Sequence, residues 1–517
     1  MIDDKNNRWQ GEQTMGYEQI AAVDLGSNSF RLQIGRVVDD QIYPLDTLKE
    51  PVRLASGLTR EKYLNEIAQQ RALETLCRFG ERLRGFQPEA VRVVATNTLR
   101  VAKNARTFIP QAEAALGFPI EVIGGREEAR LIYIGVAHTL PLDKHKRLVV
   151  DIGGGSTEFI IGKKLDPLAM ESLFMGCVSY TLRFFPDGKV DKKRFSEAEV
   201  SAAREIQTIA QDYRRLGWTE AVGSSGTARA IADLLEGNAL NPDGLSGITR
   251  EGLSRLRTMI IRAGSAAELK LAGLSSERLP VFAGGLAIMS AIFSELRIER
   301  MTYSEGALRL GVLYDLLGRF HHQDMRDATV QQFMRRYQVD ARQAGRVSLT
   351  ALDLLGQLIR VDSTEHESDV RFLRWAVALH EIGISIAHGG FHKHGAYIVS
   401  FADMPGFSKK DQERLAQLLL GQRGKLEKLP SAPSADSIWR LVFCLRLAAL
   451  LHRSRDDEPL PPVMVKQLDS GFQLELPADW LLANPLSAAA LADEALNWKR
   501  IGSAFRVKPQ GQPAVLD

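Results

Sequence analysis

Two aspartates, each closing an apolar strand and each followed by a turn rich in glycine and hydroxyl or amide side chains, carry most of the chemical information in this chain. The first run is Val23-Asp24-Leu25-Gly26-Ser27-Asn28-Ser29, preceded by Ile20-Ala21-Ala22. The second is Val150-Asp151-Ile152-Gly153-Gly154-Gly155-Ser156-Thr157, preceded by Leu148-Val149. Glycine lets a backbone approach an anion closely, and the N–H groups of such a turn point at phosphate oxygens. Serine and threonine add hydroxyl donors, and an aspartate supplies a hard oxygen for a magnesium ion bridging the same phosphates. One such loop is a weak signal. Two of them, each followed by an extended strand, predict a duplicated phosphate clamp with Asp24 and Asp151 as the candidate magnesium ligands. Glu158, just past the second loop, faces either that metal and its attacking water or solvent.

Hydrolysis of a phosphoanhydride requires phosphate oxygens held in place, their charge neutralised, and a water aimed at phosphorus in line with the leaving oxygen. The loops and magnesium meet the first two needs. For the third, Glu127-Glu128 is the best candidate, in a segment where Gly124-Gly125 ends a strand and a helix runs on through Ala129-Arg130-Leu131-Ile132-Tyr133. A carboxylate in a first helical turn is held ionised by the helix dipole, which suits a base. From spacing alone an ordinary acidic helix start is the better explanation. Gly223-Ser224-Ser225-Gly226-Thr227 follows another strand and reads as a third phosphate-contacting turn.

The elements around these loops alternate. After the first loop, Phe30–Val38 and Gln41-Ile42-Tyr43 read as strands around an Asp39-Asp40 turn. After the second, Glu158–Gly162 and Leu168–Phe174 flank a polar turn at 163–166. Further strands are predicted at Val91–Ala95, Ile120–Ile123, Glu220–Val222 and Pro280–Ala283, with helices between them. One helix is predicted to open at a capping box, Ser196-Glu197-Ala198-Glu199, and to end near Gly217. This order is α/β, with ligand sites at the carboxyl ends of strands. From about Leu310 the strand signals fade. Ala328–Tyr337, Ala341–Leu358, Val370–Leu379, Lys410–Leu420 and Ser437–Leu451 have helical periodicity, with a loop marked by Pro430 and Pro433. Past Pro461-Pro462, Val463–Leu468 and Phe472–Leu476 form a hairpin pattern around Asp469-Ser470-Gly471, and the tail from Gln510 is polar.

At 517 residues the chain holds three or four domains, and 66 basic against 63 acidic residues leave +3, which argues against a global nucleic-acid or membrane field. Three distant cysteines, Cys77, Cys177 and Cys444, suit a reducing compartment and buried thiols. The polar segment 1–18 has no signal-peptide core and no apolar run reaches spanning length, so the expectation is a cytoplasmic protein without an integral membrane segment, a peripheral place at the membrane staying open.

Taken in order, VDLGSNSF (23–30), ATNTLR (95–100), GGREEARLIY (124–133), VVDIGGGSTE (149–158), MGCVS (175–179), GSSGT (223–227) and EGALRLGVLY (305–314) resemble the exopolyphosphatase/guanosine-pentaphosphate phosphatase family. That family belongs to the actin/hexokinase/heat-shock-ATPase superfamily, and the match runs from about Ile20 to His452. The resemblance implies two actin-like (ribonuclease H-like) α/β domains around a cleft, 1–135 and 136–311. An α-helical HD-like domain, 312–458, and a small C-terminal β-containing domain, 459–517, follow. It implies Glu128 as catalytic base, Asp151 and Glu158 as further catalytic carboxylates, and Asp24, Asp151 and Glu158 at a magnesium site. Phosphate contacts fall to Gly26, Ser27, Asn28, Ser29, Arg31, Arg100, Gly153, Gly154, Gly155, Ser156, Thr157, Gly223, Ser224, Ser225, Gly226, Thr227 and Arg309. Ala283-Gly284-Gly285 stands where nucleotide-binding relatives hold adenosine, although helix packing explains a glycine pair as well.

His380-Glu381 stands where the HD phosphohydrolase fold has His-Asp, and Leu445–Leu450 carries alanine where that fold has a further aspartate. The helical domain therefore reads as degenerate, with His392, Lys393 and His394 available to a polyanion. The expected activity is magnesium-dependent processive removal of terminal phosphate from inorganic polyphosphate by a homodimer. Gly155 and the segment Phe391–Tyr397 look more like that branch. The alternative is guanosine pentaphosphate 5′-phosphatase activity. A superfamily kinase or a non-catalytic sensor of nucleotide or polyphosphate is remoter.

Overall fold

The computed structural model describes residues 17–38, 41–141, 144–242, 245–269, 271–320, 324–359, 364–429 and 437–511. The polar segment before Tyr17, the Asp39-Asp40 turn, the Pro430 and Pro433 loop and the tail beyond 511 lie outside the described residues. The chain forms two compact units, Met1–Met325 and Arg326–Asp517.

The first unit contains two sheets of matching design. In one, β1 (Gln19–Leu25), β2 (Phe30–Val38), β3 (Gln41–Glu50), β4 (Val91–Ala95) and β5 (Ile120–Val122) are ordered β3-β2-β1-β4-β5. In the other, β6 (Lys146–Ile152), β7 (Thr157–Lys163), β8 (Asp166–Leu173), β9 (Glu220–Ser224), β10 (Ile248–Thr249) and β11 (Arg300–Tyr303) are ordered β10-β11-β9-β6-β7-β8. Apart from the short edge strand β10 the two orders correspond strand for strand, and in each an antiparallel meander is extended by parallel strands. This is the doubled α/β arrangement that the resemblance implies. The central strands β1 and β6 are buried along nearly their whole length, because both sheet faces are covered.

Two helices lie against both sheets, Gly125–Ala137 and Leu308–Phe320. Their apolar faces share a core with Ile20, Ala22 and Val94 of one sheet and with Val149, Ile160 and Val222 of the other. They cross at glycines. A Cβ on Gly135 would meet the Ala307 carbonyl, and one on Gly311 the Leu131 carbonyl, so only glycine lets these backbones touch. Ion pairs fix the crossing: Asp315 accepts from Arg92 at 2.6 Å and from Arg130 at 2.5 Å, and Arg130 also grips Glu127 with two bonds of 2.8 and 2.7 Å. The boundary expected at 311/312 thus falls inside a helix.

Two local expectations are corrected. Pro280–Ala283 is not a strand: Leu279–Val281 forms a 3-10 turn leading into the helix Phe282–Leu296, and the strand instead is β11. Nearly every residue of that helix is buried, so its sequence is apolar all round and shows no helical period. It also accounts for Leu279–Leu296, the one span among the described residues long and apolar enough to cross a membrane, which is 72% buried within the protein. The helix expected from Ser196 begins one turn earlier, at Lys192, where the Asp191 side chain accepts from the Arg194 N–H, and it does end at Gly217.

In the second unit, helices Met325–Arg336, Ala341–Leu358, Thr364–Leu379, Phe391–Phe401, Lys409–Gly421 and Ser437–Leu451 precede a three-stranded sheet. In it β12 (Met464–Leu468) and β13 (Gly471–Pro477) form the expected hairpin, and β14 (Ala504–Gln510) adds in parallel to β13. Phe472, Leu474, Trp498 and Phe505 share one core with Phe443 and the other helical residues, so sheet and helices are packed as a single body.

Candidate active site

Register places both loop aspartates at the carboxyl ends of central strands. Asp24 faces Arg31 across the β1–β2 hairpin, and Asp151 faces Glu158 across the β6–β7 hairpin. The two loops come together. A Cβ on Gly154 would lie 2.9 Å from the Ser27 Cβ, and one on Gly155 would lie 2.5 Å from Asn97 Oδ1. Between the halves lies a cavity of about 500 Å³. Asp24, Gly26, Ser27, Asn28, Ser29, Arg31, Glu128, Asp151, Gly153, Gly154, Gly155, Ser156, Ser225, Gly226 and Arg309 all line it.

Glu128, 7% exposed, projects from the first turn of its helix into this cavity, whereas its neighbour Glu127 is committed to Arg130. That division settles which of the two adjacent glutamates is available for chemistry. Burial pushes the Glu128 carboxyl up to about 7; Arg100 opposes the shift, and Asp24 and Asp151 add to it. Asp151, 8% exposed, is raised to about 6, chiefly by burial, with the nearby Ser224, Arg31 and Arg278 opposing the shift and Asp24 adding to it. Asp24 is raised by burial, with Arg31 and Arg309 opposing. Burial and the nearby Arg31 push the Arg309 guanidinium down to about 10, so two mutually repelling cations face the loops. Carboxyls and guanidiniums perturbed in opposite directions within one cavity mark a functional site.

Several expected phosphate contacts hold the site from behind instead. Arg100 donates from one nitrogen to the Ile123 carbonyl at 2.9 Å and to Glu128 at 3.2 Å, which makes it the anchor of the candidate base. Thr157 is spent on the Met175 carbonyl at 2.5 Å, Ser224 on Gly306 at 3.0 Å and Thr227 on Ile152 at 3.2 Å. Gly223 lies within β9, where a side chain would strike Ala228. Glu158, 1% exposed, accepts from Ser172 at 2.8 Å and lies behind Asp151 rather than on the cavity wall; burial raises its carboxyl well above the usual range.

Three buried polar atoms on the cavity wall have no partner among the described residues: Asp24 Oδ1, Asn97 Nδ2 and Ser225 Oγ. Ser225 is also held at φ 78°, a left-handed conformation that costs a non-glycine residue and clusters at ligand sites. Unmet donors and an acceptor turned into one cavity await a ligand with both phosphate oxygens and a cation. Among the described residues no three His, Cys, Asp or Glu side chains form a closed metal cage. Magnesium does not need one, since it is bound by one or two carboxylates together with substrate phosphates and water. Asp24 and Asp151 fit that role.

Sequence reasoning missed Lys49, Asn97, Arg229, Asp233, Arg278, Tyr303 and Glu305 on the same wall. Asn97 lies in ATNTLR and carried a signal, whereas the others belong to no motif. Gly284 and Gly285 press against Thr181, Cys177 and Thr227, so that pair is helix packing. Burial raises the Cys177 thiol, leaving it protonated and unreactive. In the second unit His380 is buried against the Val377 carbonyl, and Glu381 is paired with Arg455.

Residues 33–320 match the Ppx/GppA phosphatase family and residues 325–495 match Ppx/GppA phosphatase, domain III. A guanosine-5′-triphosphate,3′-diphosphate pyrophosphatase from Photobacterium profundum is 39% identical over 484 residues, covering 93% of this chain and 96% of its own. One from Pseudoalteromonas translucida is 39% identical over 489 residues, covering 93% and 97%. Among solved structures, an exopolyphosphatase from Cytophaga hutchinsonii is 26% identical, with a TM-score of 0.52 over 58% of this chain and 98% of that one.

Proposed function

Because the chain belongs to the Ppx/GppA phosphatase family, we propose that it hydrolyses guanosine pentaphosphate to guanosine tetraphosphate and inorganic phosphate. The observation that carries this choice is the 39% identity along almost the whole chain to two guanosine-5′-triphosphate,3′-diphosphate pyrophosphatases. It reverses the order expected from sequence, in which polyphosphate came first. Gly155, taken there as a mark of the polyphosphatase branch, is explained by its contact with Asn97 and says nothing about substrate. Polyphosphate remains the second reading, supported by the 26% identical exopolyphosphatase.

The terminal phosphate enters between Ser27–Ser29 and Gly153–Ser156, with Arg31 and Arg309 as its counter-charges. Asp24 and Asp151 would hold magnesium, which when bound neutralises phosphate charge. Glu128, anchored by Arg100, takes the proton of the attacking water as the bond from the terminal phosphorus to the bridging oxygen breaks. A carboxyl poised at about 7 is both ionised and basic enough near neutral pH. Intact Asp24, Glu128 and Asp151 weigh against a non-catalytic sensor.

The test is phosphate release from guanosine pentaphosphate and from long-chain polyphosphate, side by side with magnesium. The expected result is a higher kcat/KM for the nucleotide, with guanosine tetraphosphate as product. Turnover of polyphosphate alone would overturn the proposal.

A further inference from the structure

The cavity does not end at the phosphate loops. It continues along the helix Ser225–Gly237 to Arg229, Asp233, Tyr303 and Glu305. The Arg229 guanidinium sits 6.0 Å from the centre of the Tyr303 ring, 3.4 Å from the Glu305 carboxylate and 3.7 Å from that of Asp233. Arg31, Lys49, Arg278 and Arg309 line the wall elsewhere, whereas around Arg229 one cation is paired with two carboxylates. A bare polyphosphate chain gains no contact from Asp233 and Glu305, which accept hydrogen bonds and repel phosphate oxygens at short range.

We infer that the far end reads the guanine ring of the nucleotide, with Arg229 donating to O6 and Glu305 or Asp233 accepting from N1–H and the N2 amino group. The Watson–Crick edge of guanine sets one acceptor beside two donors, which a guanidinium adjoining a carboxylate complements. Arginine pairs with guanine O6, and carboxylates accept from exocyclic amino groups, in the same way on nucleic acids. Adenine presents a donor at N6 and an acceptor at N1, so its N1 lone pair would face a carboxylate. The half-buried Tyr303 offers an apolar ring face beside the base. This inference rests on the proposed pentaphosphate hydrolysis and adds how the site separates a guanosine nucleotide from adenosine nucleotides and from polyphosphate.

The experiment measures kcat/KM for guanosine pentaphosphate, its adenosine counterpart and long-chain polyphosphate with the full-length protein and with Glu305→Gln, Asp233→Asn and the double variant. The unmodified protein is expected to favour the guanosine substrate. The double variant is expected to lose about tenfold to a hundredfold on it, mainly through KM. On polyphosphate the double variant gains, because two negative charges leave the cavity wall. A guanosine-to-adenosine ratio unchanged in the double variant, with melting curves showing it folded, overturns the inference and leaves the proposed activity standing. An unmodified protein that cleaves polyphosphate but not pentaphosphate overturns the activity itself. Inhibition of the unmodified protein by guanosine tetraphosphate and by its adenosine counterpart decides the matter without any substitution. Equal inhibition constants refute guanine reading.

Discussion

Replacing Glu128 by glutamine should destroy activity and strengthen the fold, and the second effect should depend on pH in a defined way. The Glu128 carboxyl rises from an ordinary 4.5 to about 7 because it is buried beside Asp24 and Asp151. A rise of that size costs roughly 3 kcal/mol of stability once the group is ionised, at about 1.4 kcal/mol per pH unit. A glutamine amide left without a full set of partners gives back about 1 kcal/mol, so the net gain is about 2 kcal/mol. For a unit of this size that is a Tm higher by about 3 °C. A raised carboxyl favours the folded state below its unfolded pKa, and that advantage is lost as pH rises through the folded value. The Tm difference between variant and parent should therefore be small at pH 4.5, grow up to about pH 7 and stay level above it. Calorimetry in chelated buffer at four pH values, beside phosphate-release assays, provides the check. Turnover should fall by about two to four orders of magnitude. A Tm difference that does not vary with pH, or a variant less stable at pH 8, would refute the electrostatic reasoning. Undiminished turnover would remove Glu128 from the chemistry.

Arg100→Gln should move the acidic limb of the pH–rate profile upward by about one unit, since Arg100 holds the Glu128 carboxyl down; an unmoved limb refutes that coupling. Asp315→Asn should cost about 3–5 kcal/mol, because Arg92 and Arg130 are left buried without their shared carboxylate, and a denaturant midpoint close to that of the parent would disprove it. Gly155→Ala should lower turnover about tenfold to a hundredfold at nearly constant Tm, by displacing Asn97 where the loops meet; full activity would show that the contact yields easily. Asp151→Asn should weaken the response of turnover to magnesium as well as turnover itself, whereas a parental magnesium titration would exclude Asp151 from the metal.

Elements whose residues obey one period were legible. The helices Ala341–Leu358 and Ser437–Leu451 and the β12–β13 hairpin follow from periodicity and a turn signal. The helix Phe282–Leu296 was misread because burial on every side erases the pattern that distinguishes helix from strand. At the site, glycine, aspartate and glutamate could be found because few residue types serve a phosphate turn or a base. Direction was not legible. Nothing in GSSGT says that Ser224 and Thr227 point to carbonyls while Ser225 points to the cavity, because that follows from a single left-handed residue. Arg100 was placed at the right site with the wrong duty for a similar reason. A guanidinium suits phosphate and carboxylate alike, and only the fold reveals which one it meets.

The two matched hairpins differ in one telling respect. Opposite its aspartate, the first carries Arg31 and the second carries Glu158. The backbone repeats while the partner side chain does not: Arg31 lines the cavity, whereas Glu158 is buried behind Asp151 with its carboxyl pushed toward the neutral form. At this position a guanidinium therefore stands beside the first loop alone, while the second hairpin brings its glycine turn and the Asp151 carboxyl to the cavity. Internal duplication supplied two similar clamps, and the exchange at a single cross-strand position leaves only the first with a cation beside its aspartate.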